Sequence, residues 1–565
     1  MSFDASRYVA TPVVQLPDRS WPNRTITSAP IWCSVDLRDG NQSLPDPMGH
    51  ERKQRLLALL VRTGFRQIEV GFPSASQTDF DFVRWIVGSG ALPEHVTAQV
   101  ITQARDALIL RTLEAVVGLP RVIVHLYNST SELQRRVVFG MSRQQIVELA
   151  VRATERIRNE AERMTGTEVV LQYSPESFTG TELPFAAEIC DAVARAWGAT
   201  PERKMIVNLP STVENTTPNV FADRIEWMAR HLEHRDSMVL SVHTHNDRGT
   251  GVASAELAVL AGAERIEGTL LGNGERSGNV DIVTLAMNLY SQGIDPGLRF
   301  EDMQEVVSTV EHCTKLSVHP RHPWAGALVF TAFSGSHQDA IHKGMQQPAE
   351  HKWEVPYLPI DPRDIGRQYE SVIRINSQSG KSGIAHVLER DYGYRLPKPL
   401  AIELSSHVQR VTDARGDELS PEQVVAVFEQ EYVLPEPRYA LEHFGVERRT
   451  AGECAVTARV RVNDHVQSVS GVGSGPIEAW VRALGLVVGQ PFQVLDYAEH
   501  ARSAGAAAEA VAYVALGFES DATTKERAQV WGVGRHADVV LASFHAVLAA
   551  LNRRAEVHVL QQAAS

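Results

Sequence analysis

"SMVLSVHTHN", residues 237–246, decides how this chain is read. The run is apolar and β-branched as far as Val242, and successive side chains of a strand point to opposite faces. His243 and His245 therefore share a face, with Thr244 on the other. Two imidazoles side by side are either a metal-ligand pair or a polar strand end with two solvated histidines. What surrounds the run decides between them.

Seven similar runs accompany it: "IWCSVDL" (31–37), "RQIEVGF" (66–72), "HVTAQVITQ" (95–103), "RVIVHLYN" (121–128), "TEVVLQYS" (167–174), "KMIVNLPST" (204–212) and "RIEGTLLG" (265–272). Longer helical patterns lie between them, such as "SRQQIVELAVRATERIRNEAERM" (142–164), and "NVDIVTLAMNLYSQ" (279–292) follows the last. Eight strand–helix units predict an α/β fold, a closed (β/α)8 TIM barrel, whose usual ~250 residues match this span. An open doubly wound sheet is the alternative, but no strand is followed by a dinucleotide-type G-x-G-x-x-G turn.

At 565 residues the chain exceeds one ordinary core, so several domains are expected. The divisions read as an N-terminal arm (1–30), the barrel (31–325), linker subdomains (326–430) and a C-terminal α+β regulatory domain (431–565). Residues 293–325 read as mainly helical, and 334–383 are too rich in Gly, Ser, His and Pro to be a plain linker. In "ECAVTARVRVNDHVQSVSGVGSGPIEAWVRALG" (453–485) two strands, a glycine-rich turn and a helix are expected. "AVAYVALGFES" (510–520) and "RAQVWGVGRHADVVLASFHAVLAAL" (527–551) echo it, with "GVG" at 471–473 and again at 532–534. An internal duplication follows, suited to ligand sensing or to dimerisation; the glycines alone do not separate these.

A net charge of −13 lacks the basic footprint of a nucleic-acid binder. Cys33, Cys190, Cys313 and Cys454 have no zinc spacing, which favours a reduced cytoplasmic setting. The N-terminal 24 residues lack an apolar signal core, and no run is long enough to span a bilayer, so no membrane partner is expected.

Barrel chemistry gathers at the C-terminal strand ends. The first strand ends in "DLRDGNQ", with Arg38 and Asp39; the second carries Glu69 and the fourth His125. The fifth supplies Ser174 and Glu176, the sixth Thr212, the seventh the two histidines, and the loop after the eighth Glu275 and Asn279. Two histidines with a carboxylate, naturally Asp39, suit a divalent cation that keeps open positions for oxygen ligands. Arg38 beside it suits a developing oxyanion. Together they fit chemistry on the ketone of a 2-oxo acid.

"DLRDGNQ", "EVGFP" (69–73), "HTHNDRGTGVA" (243–253) and "GNGERSGNVD" (272–281) resemble the acyl-CoA-condensing, metal-dependent barrel family of 2-isopropylmalate, homocitrate and citramalate synthases and related lyases. "SGSHQDAIHKG" (334–344), "VPYLPIDPRDIGR" (355–367), "NSQSGKSG" (376–383) and the C-terminal module are similar to the long 2-isopropylmalate synthases within it. The resemblance implies that Asp39, His243 and His245 hold the metal, Mg²⁺ or Mn²⁺ with Zn²⁺ as a further candidate, and that Asn279 is a ligand or its support. It implies that Arg38 stabilises the enolate or alkoxide, and that His125, Ser174, Thr212 and Glu275 bind substrate. Glu176 and His337 would be acid–base partners assisted by Tyr357, the last two reaching the active site of the other subunit in an intertwined homodimer. The implied reaction is a Claisen-type condensation of acetyl-CoA with 2-oxoisovalerate (3-methyl-2-oxobutanoate) and thioester hydrolysis, the first committed step of leucine biosynthesis, with leucine as feedback inhibitor. A sister synthase for another oxo acid, a retro-reaction lyase, and an amino-acid sensor with a silent barrel are the rivals. One departure stands out: His342 in "AIHKG" (340–344), where the family pattern has Asn.

Overall fold

The computed structural model describes residues 3–332, 334–346, 352–367, 381–415, 419–435, 437–449, 452–489, 491–502, 508–518 and 529–563. It forms two compact units, Met1–Val329 with Ile360–Arg367, and Phe330–Pro359 with Gln368–Ser565.

In the first unit, β1 (Ile31–Ser34), β2 (Gln67–Gly71), β3 (Thr97–Gln103), β4 (Arg121–Ser129), β5 (Glu168–Glu176), β6 (Met205–Ser211), β7 (Met238–Thr244) and β8 (Arg265–Gly268) close into a barrel in chain order. Every pairing is parallel, and β1 closes on β8 with Ile31 opposite Arg265. Helices follow each strand, from His50–Thr63 after β1 to Ile282–Ser291 after β8. Strands covered on both faces read as apolar runs because their outward side chains pack under these helices. Ile68, Val70, Val122, Val124, Leu171, Val207, Leu240, Val242 and Ile266 are all buried there.

The inward positions are different. Aliphatic layers normally fill such a barrel. Here Glu69, Gln99, Gln172, Asn208, Ser241, Arg265 and Glu267 do, each 1% exposed or less. The residues after the barrel also depart from expectation. Only Met303–Thr314 of 293–325 is helical, because Gly293, Pro296 and Gly297 precede it and Pro320 and Pro323 follow.

The second unit contains helices Gly335–Met345, Lys381–Tyr392, Lys398–Arg415 and Pro421–Phe428. Residues 376–380 of the "NSQSGKSG" motif lie outside the described residues. Two three-stranded antiparallel sheets follow, each backed by a helix. β9 (Tyr439–Arg448), β10 (Cys454–Val462) and β11 (His465–Gly473) precede helix Pro476–Val488; β12 (Phe492–Ala501), β13 (Ala510–Phe518) and β14 (Gln529–His536) precede helix Val539–Ala563. The duplication is thus a βββα module rather than two strands and a helix. The "GVG" glycines are not in turns but in β11 and β14, where alternation turns both of each pair toward the helix. A Cβ on Gly471 would lie 2.2 Å from Ala479 O, and one on Gly532 2.2 Å from Ala550 N. The glycines let helix backbone lie directly on the sheet.

Gly532→Ala should therefore destabilise this unit by about 3 kcal/mol, since the added carbon meets backbone. Native-state hydrogen exchange checks this: β13 and β14 amides should exchange roughly 100-fold faster. Unchanged protection would remove the close-approach argument.

Candidate metal centre and active site

Inward-pointing residues of the five strands β3 to β7 and residues that follow β1, β2, β6, β7 and β8 meet above the polar interior in a cavity of about 290 Å³. Arg38, Asp39, His125, Ser174, Glu176, Thr212, His243, His245 and Glu275 all line it. The barrel therefore brings together nearly every site residue expected from the sequence of this unit.

Asp39, His243 and His245 are the group able to hold a metal ion among the described residues, with one ligand atom from each within 4.8 Å of the others. Asp39 Oδ2 lies 3.4 Å from His243 Nε2 and 3.5 Å from His245 Nε2. The far side of each ring is committed elsewhere. His243 Nδ1 bonds Glu267 Oε2 at 3.0 Å, and His245 Nδ1 bonds the Ser211 carbonyl at 3.2 Å. Since a carbonyl only accepts, His245 donates from Nδ1 and offers the Nε2 lone pair to the cluster; a carboxylate behind His243 does the same. Asn279 is not a lining residue, but its backbone bridges to His245. Its Nδ2 donates to Asn273 O at 3.0 Å, which turns Oδ1 away from that carbonyl. Asp39 Oδ2, His245 Nε2 and Asn279 Oδ1 are all buried without a hydrogen-bond partner among the described residues. Buried polar atoms are rarely left so, and unpaired acceptors on Asp39 and His245 within one ligand cluster fit a cation.

Burial alone would raise the Asp39 carboxyl, but Arg38 and the two histidines hold it well below the usual carboxylate range. Burial would lower His243, yet Asp39 and Glu267 outweigh it and raise the ring to about 9. Arg38 is fixed by two carboxylates, Nε to Glu69 Oε2 and Nη1 to Asp39 Oδ1, each at 2.5 Å. His125 bridges Glu69 Oε1 (2.8 Å) and Ser174 Oγ (2.7 Å). Glu176 accepts a bond from Ser129 Oγ, and Thr212 Oγ1 accepts the Ser177 N–H at 2.9 Å.

Other residues of the "HTHNDRG" stretch secure loops. Asn246 Oδ1 accepts the Gly251 N–H, Asp247 pairs with Arg276 at 2.7 Å, and the Arg248 N–H donates to Glu214. His337 and Tyr357 belong to the second unit, where their rings stack with centroids 4.0 Å apart; Tyr357 sits at φ +65°. His342, the departure from the family pattern, is half-buried on the same helix and bonds Gln346 Nε2 at 2.8 Å.

Glu267 was not singled out in the sequence, nor were Gln99, Gln172, Asn208 and Arg265. The available signal was a polar residue two positions from another within a β run: Arg265 with Glu267, Gln172 with Ser174.

A family model described as HMGL-like matches residues 29–310, one described as alpha-isopropylmalate synthase, post-catalytic domain-like, matches 327–389, and a LeuA allosteric (dimerisation) domain matches 418–555. A 2-isopropylmalate synthase of Rhodospirillum rubrum is 53% identical over 98% of this chain and 99% of that protein. Those of Parafrankia sp. (54%, covering 97% of each chain) and Ralstonia nicotianae (51%, covering 99% of this chain and 96% of that one) are similarly close. With identity above half along nearly the whole length of three such relatives, this chain belongs to the 2-isopropylmalate synthase family.

Proposed function

We propose that this chain condenses acetyl-CoA with 2-oxoisovalerate and hydrolyses the thioester, releasing 2-isopropylmalate and CoA at the entry to leucine biosynthesis. The observation that carries this reading is the convergence of Asp39, His243 and His245, with Asp39 Oδ2 and His245 Nε2 unpaired, beside a doubly anchored Arg38.

Asp39, His243 and His245 would hold a divalent cation, with Asn279 Oδ1 as a further donor. Mg²⁺ or Mn²⁺ suits the oxygen donors, and Zn²⁺ would also bind such a set. When bound, such an ion polarises the ketone of the oxo acid. Arg38 commits Nε and Nη1 to carboxylates and lines the cavity, so its remaining N–H groups are available to the oxygen that gains charge. His125, Ser174 and Thr212 hold the substrate carboxylate. Thr212 receives the Ser177 N–H and keeps its own hydroxyl proton to donate. Glu275 completes the substrate set. Phe72, Ile101 and Pro210 give the cavity an apolar wall for the branched end of the acid. Glu176 serves proton transfer, joined by His337 and Tyr357 supplied from the other subunit of a homodimer.

The same reading assigns catalysis to residues 31–325, the intersubunit contribution to 326–430, and leucine feedback to 431–565. Among the described residues no helix is long and apolar enough to cross a membrane. The four cysteines are unpaired, which suits the reducing cytoplasm.

CoA release from acetyl-CoA, followed with a thiol reagent, tests the proposal. Release should require a divalent metal, stop with chelator and fall with leucine. 2-Oxoisovalerate should exceed 2-oxobutyrate, one methyl smaller, by about tenfold or more in kcat/KM. A preference for pyruvate or 2-oxoglutarate would move the assignment to a sister synthase, and no release with any acceptor would end it. Arg38→Lys should lower kcat roughly 10²–10³-fold while metal binding persists. Glu267→Gln should weaken Mn²⁺ binding about 10–100-fold in an EPR titration, because His243 loses its orienting carboxylate.

A further inference from the structure

A second cavity, of about 610 Å³, lies in the first unit beneath residues 9–15 of the N-terminal arm. Its lining comes from the same two strand-end segments that reach the active-site cavity. Glu176, the last residue of β5, faces the active site while 179–184 of the segment after it line the second cavity, and Thr212 and Asn215 divide the loop after β6 in the same way. Thr179 Oγ1, donating to Val213 O at 3.1 Å, ties the two loops together.

Arg224 is the unusual group here. It lies in helix Pro218–His231, is only 7% exposed, and lines this cavity. Its one hydrogen bond among the described residues is a long 3.4 Å contact from Nη1 to Thr181 O, and Nε is buried with no partner. Among the described residues no ion pair reaches it. The acids flanking it turn to the arm: Asp223 pairs with Arg19 and accepts from Trp21 Nε1, and Glu226 accepts from Ser20, Trp21 and Arg230. Glu182, the carboxylate lining the cavity, is already engaged by Arg135 (2.7 Å) and Arg143 (2.8 Å). Arg224 thus shares the cavity with a carboxylate that two other arginines already neutralise. Among the described residues the other buried arginines, Arg38, Arg135 and Arg265, are matched by carboxylates, and the basicity of Arg38 and Arg265 is raised. For Arg224 burial alone acts, and lowers it.

A buried, unpaired guanidinium is destabilising unless something neutralises it. Its planar fork matches the oxygens of a carboxylate or phosphate. The cavity exceeds a bare ion, and Trp227 offers a ring beside the charge. We propose that this cavity is a binding site for a small oxyanion ligand, whose carboxylate or phosphate group is held by Arg224 beneath the N-terminal arm. An anion seated there braces the loops after β5 and β6 from outside the active site.

The test uses the full chain at constant ionic strength, with chloride as the balancing anion. Inorganic phosphate and acetate are titrated separately by calorimetry, which distinguishes the two sources of the oxyanion. Saturable binding of at least one is expected, with Kd raised about tenfold or more in Arg224→Met, which keeps the volume and removes the charge. Arg224→Gln serves if the first variant does not fold. The bound anion should also slow trypsin cleavage after Arg19, a readout that anion binding at the active site would not move and that needs no variant. No saturable binding of either anion, or unchanged affinity in a folded variant, overturns the proposal. So does binding that leaves the rate of cleavage in the arm unaltered. Turnover is not part of the readout, so the result stands apart from the reaction assigned above.

Discussion

The Glu267 carboxylate is the constraint on which the barrel depends. It is fully buried, and five side-chain bonds converge on it. Oε1 accepts from Gln99 (2.9 Å), Gln172 (2.7 Å) and Arg265 (2.9 Å), and Oε2 from Asn208 (3.1 Å) and His243 (3.0 Å). Burial would raise its pKa, but Arg265 and His243 reverse the effect and hold it well below the usual range. Removing one partner from a buried charge costs about 3–5 kcal/mol, so such a network is either complete or a liability. Here it is continuous. Gln99 also donates to Glu69 at 2.9 Å, and Glu69 holds both Arg38 and His125. His243, Arg38 and His125 are thus oriented by one polar core.

That arrangement explains why the interior is not aliphatic. A hydrocarbon core would support the strands equally well, but it could not fix a histidine tautomer or hold an arginine at a set angle. The rim is stabilised differently. Glu214, Asp247 and Arg276 tie the loops after β6, β7 and β8 to one another, with Arg276 also donating to Thr212 O at 2.6 Å. Part of the conspicuous histidine stretch, Asn246 to Arg248, is therefore scaffolding for loops, while His243 and His245 face the cavity.

In the second unit, β13 is buried on both faces. Ala512, Val514 and Leu516 join the core shared by the two βββα modules, while Val511, Tyr513 and Ala515 pack with Leu388, Leu404 and Phe428 of the preceding helices. A strand between two cores reads as unbroken apolar sequence, as "AVAYVALGF" does. Asn552 closes the module pair by bonding both the N–H and the carbonyl of Tyr439. Within this unit, a disturbance of β13 reaches two packed layers at once.

The sequence by itself determined the barrel, because eight apolar runs with following helices carry their period locally. It also determined His243, His245 and Asp39, since chemically distinctive residues at strand ends stand out without knowledge of their neighbours. The three-stranded form of the C-terminal modules was not legible, because β12 alternates half-buried and exposed residues and resembles a loop. The glycines of "GVG" looked like turns until the helix was laid against them. Only the tertiary structure decided the role of Glu267, Gln99, Gln172 and Arg265. Each is a polar residue within an apolar run, and its partners lie as far as 198 residues away in sequence. Barrel closure brings their inward positions onto one axis, and there the cost of burying a charge turns separate polar residues into a single network.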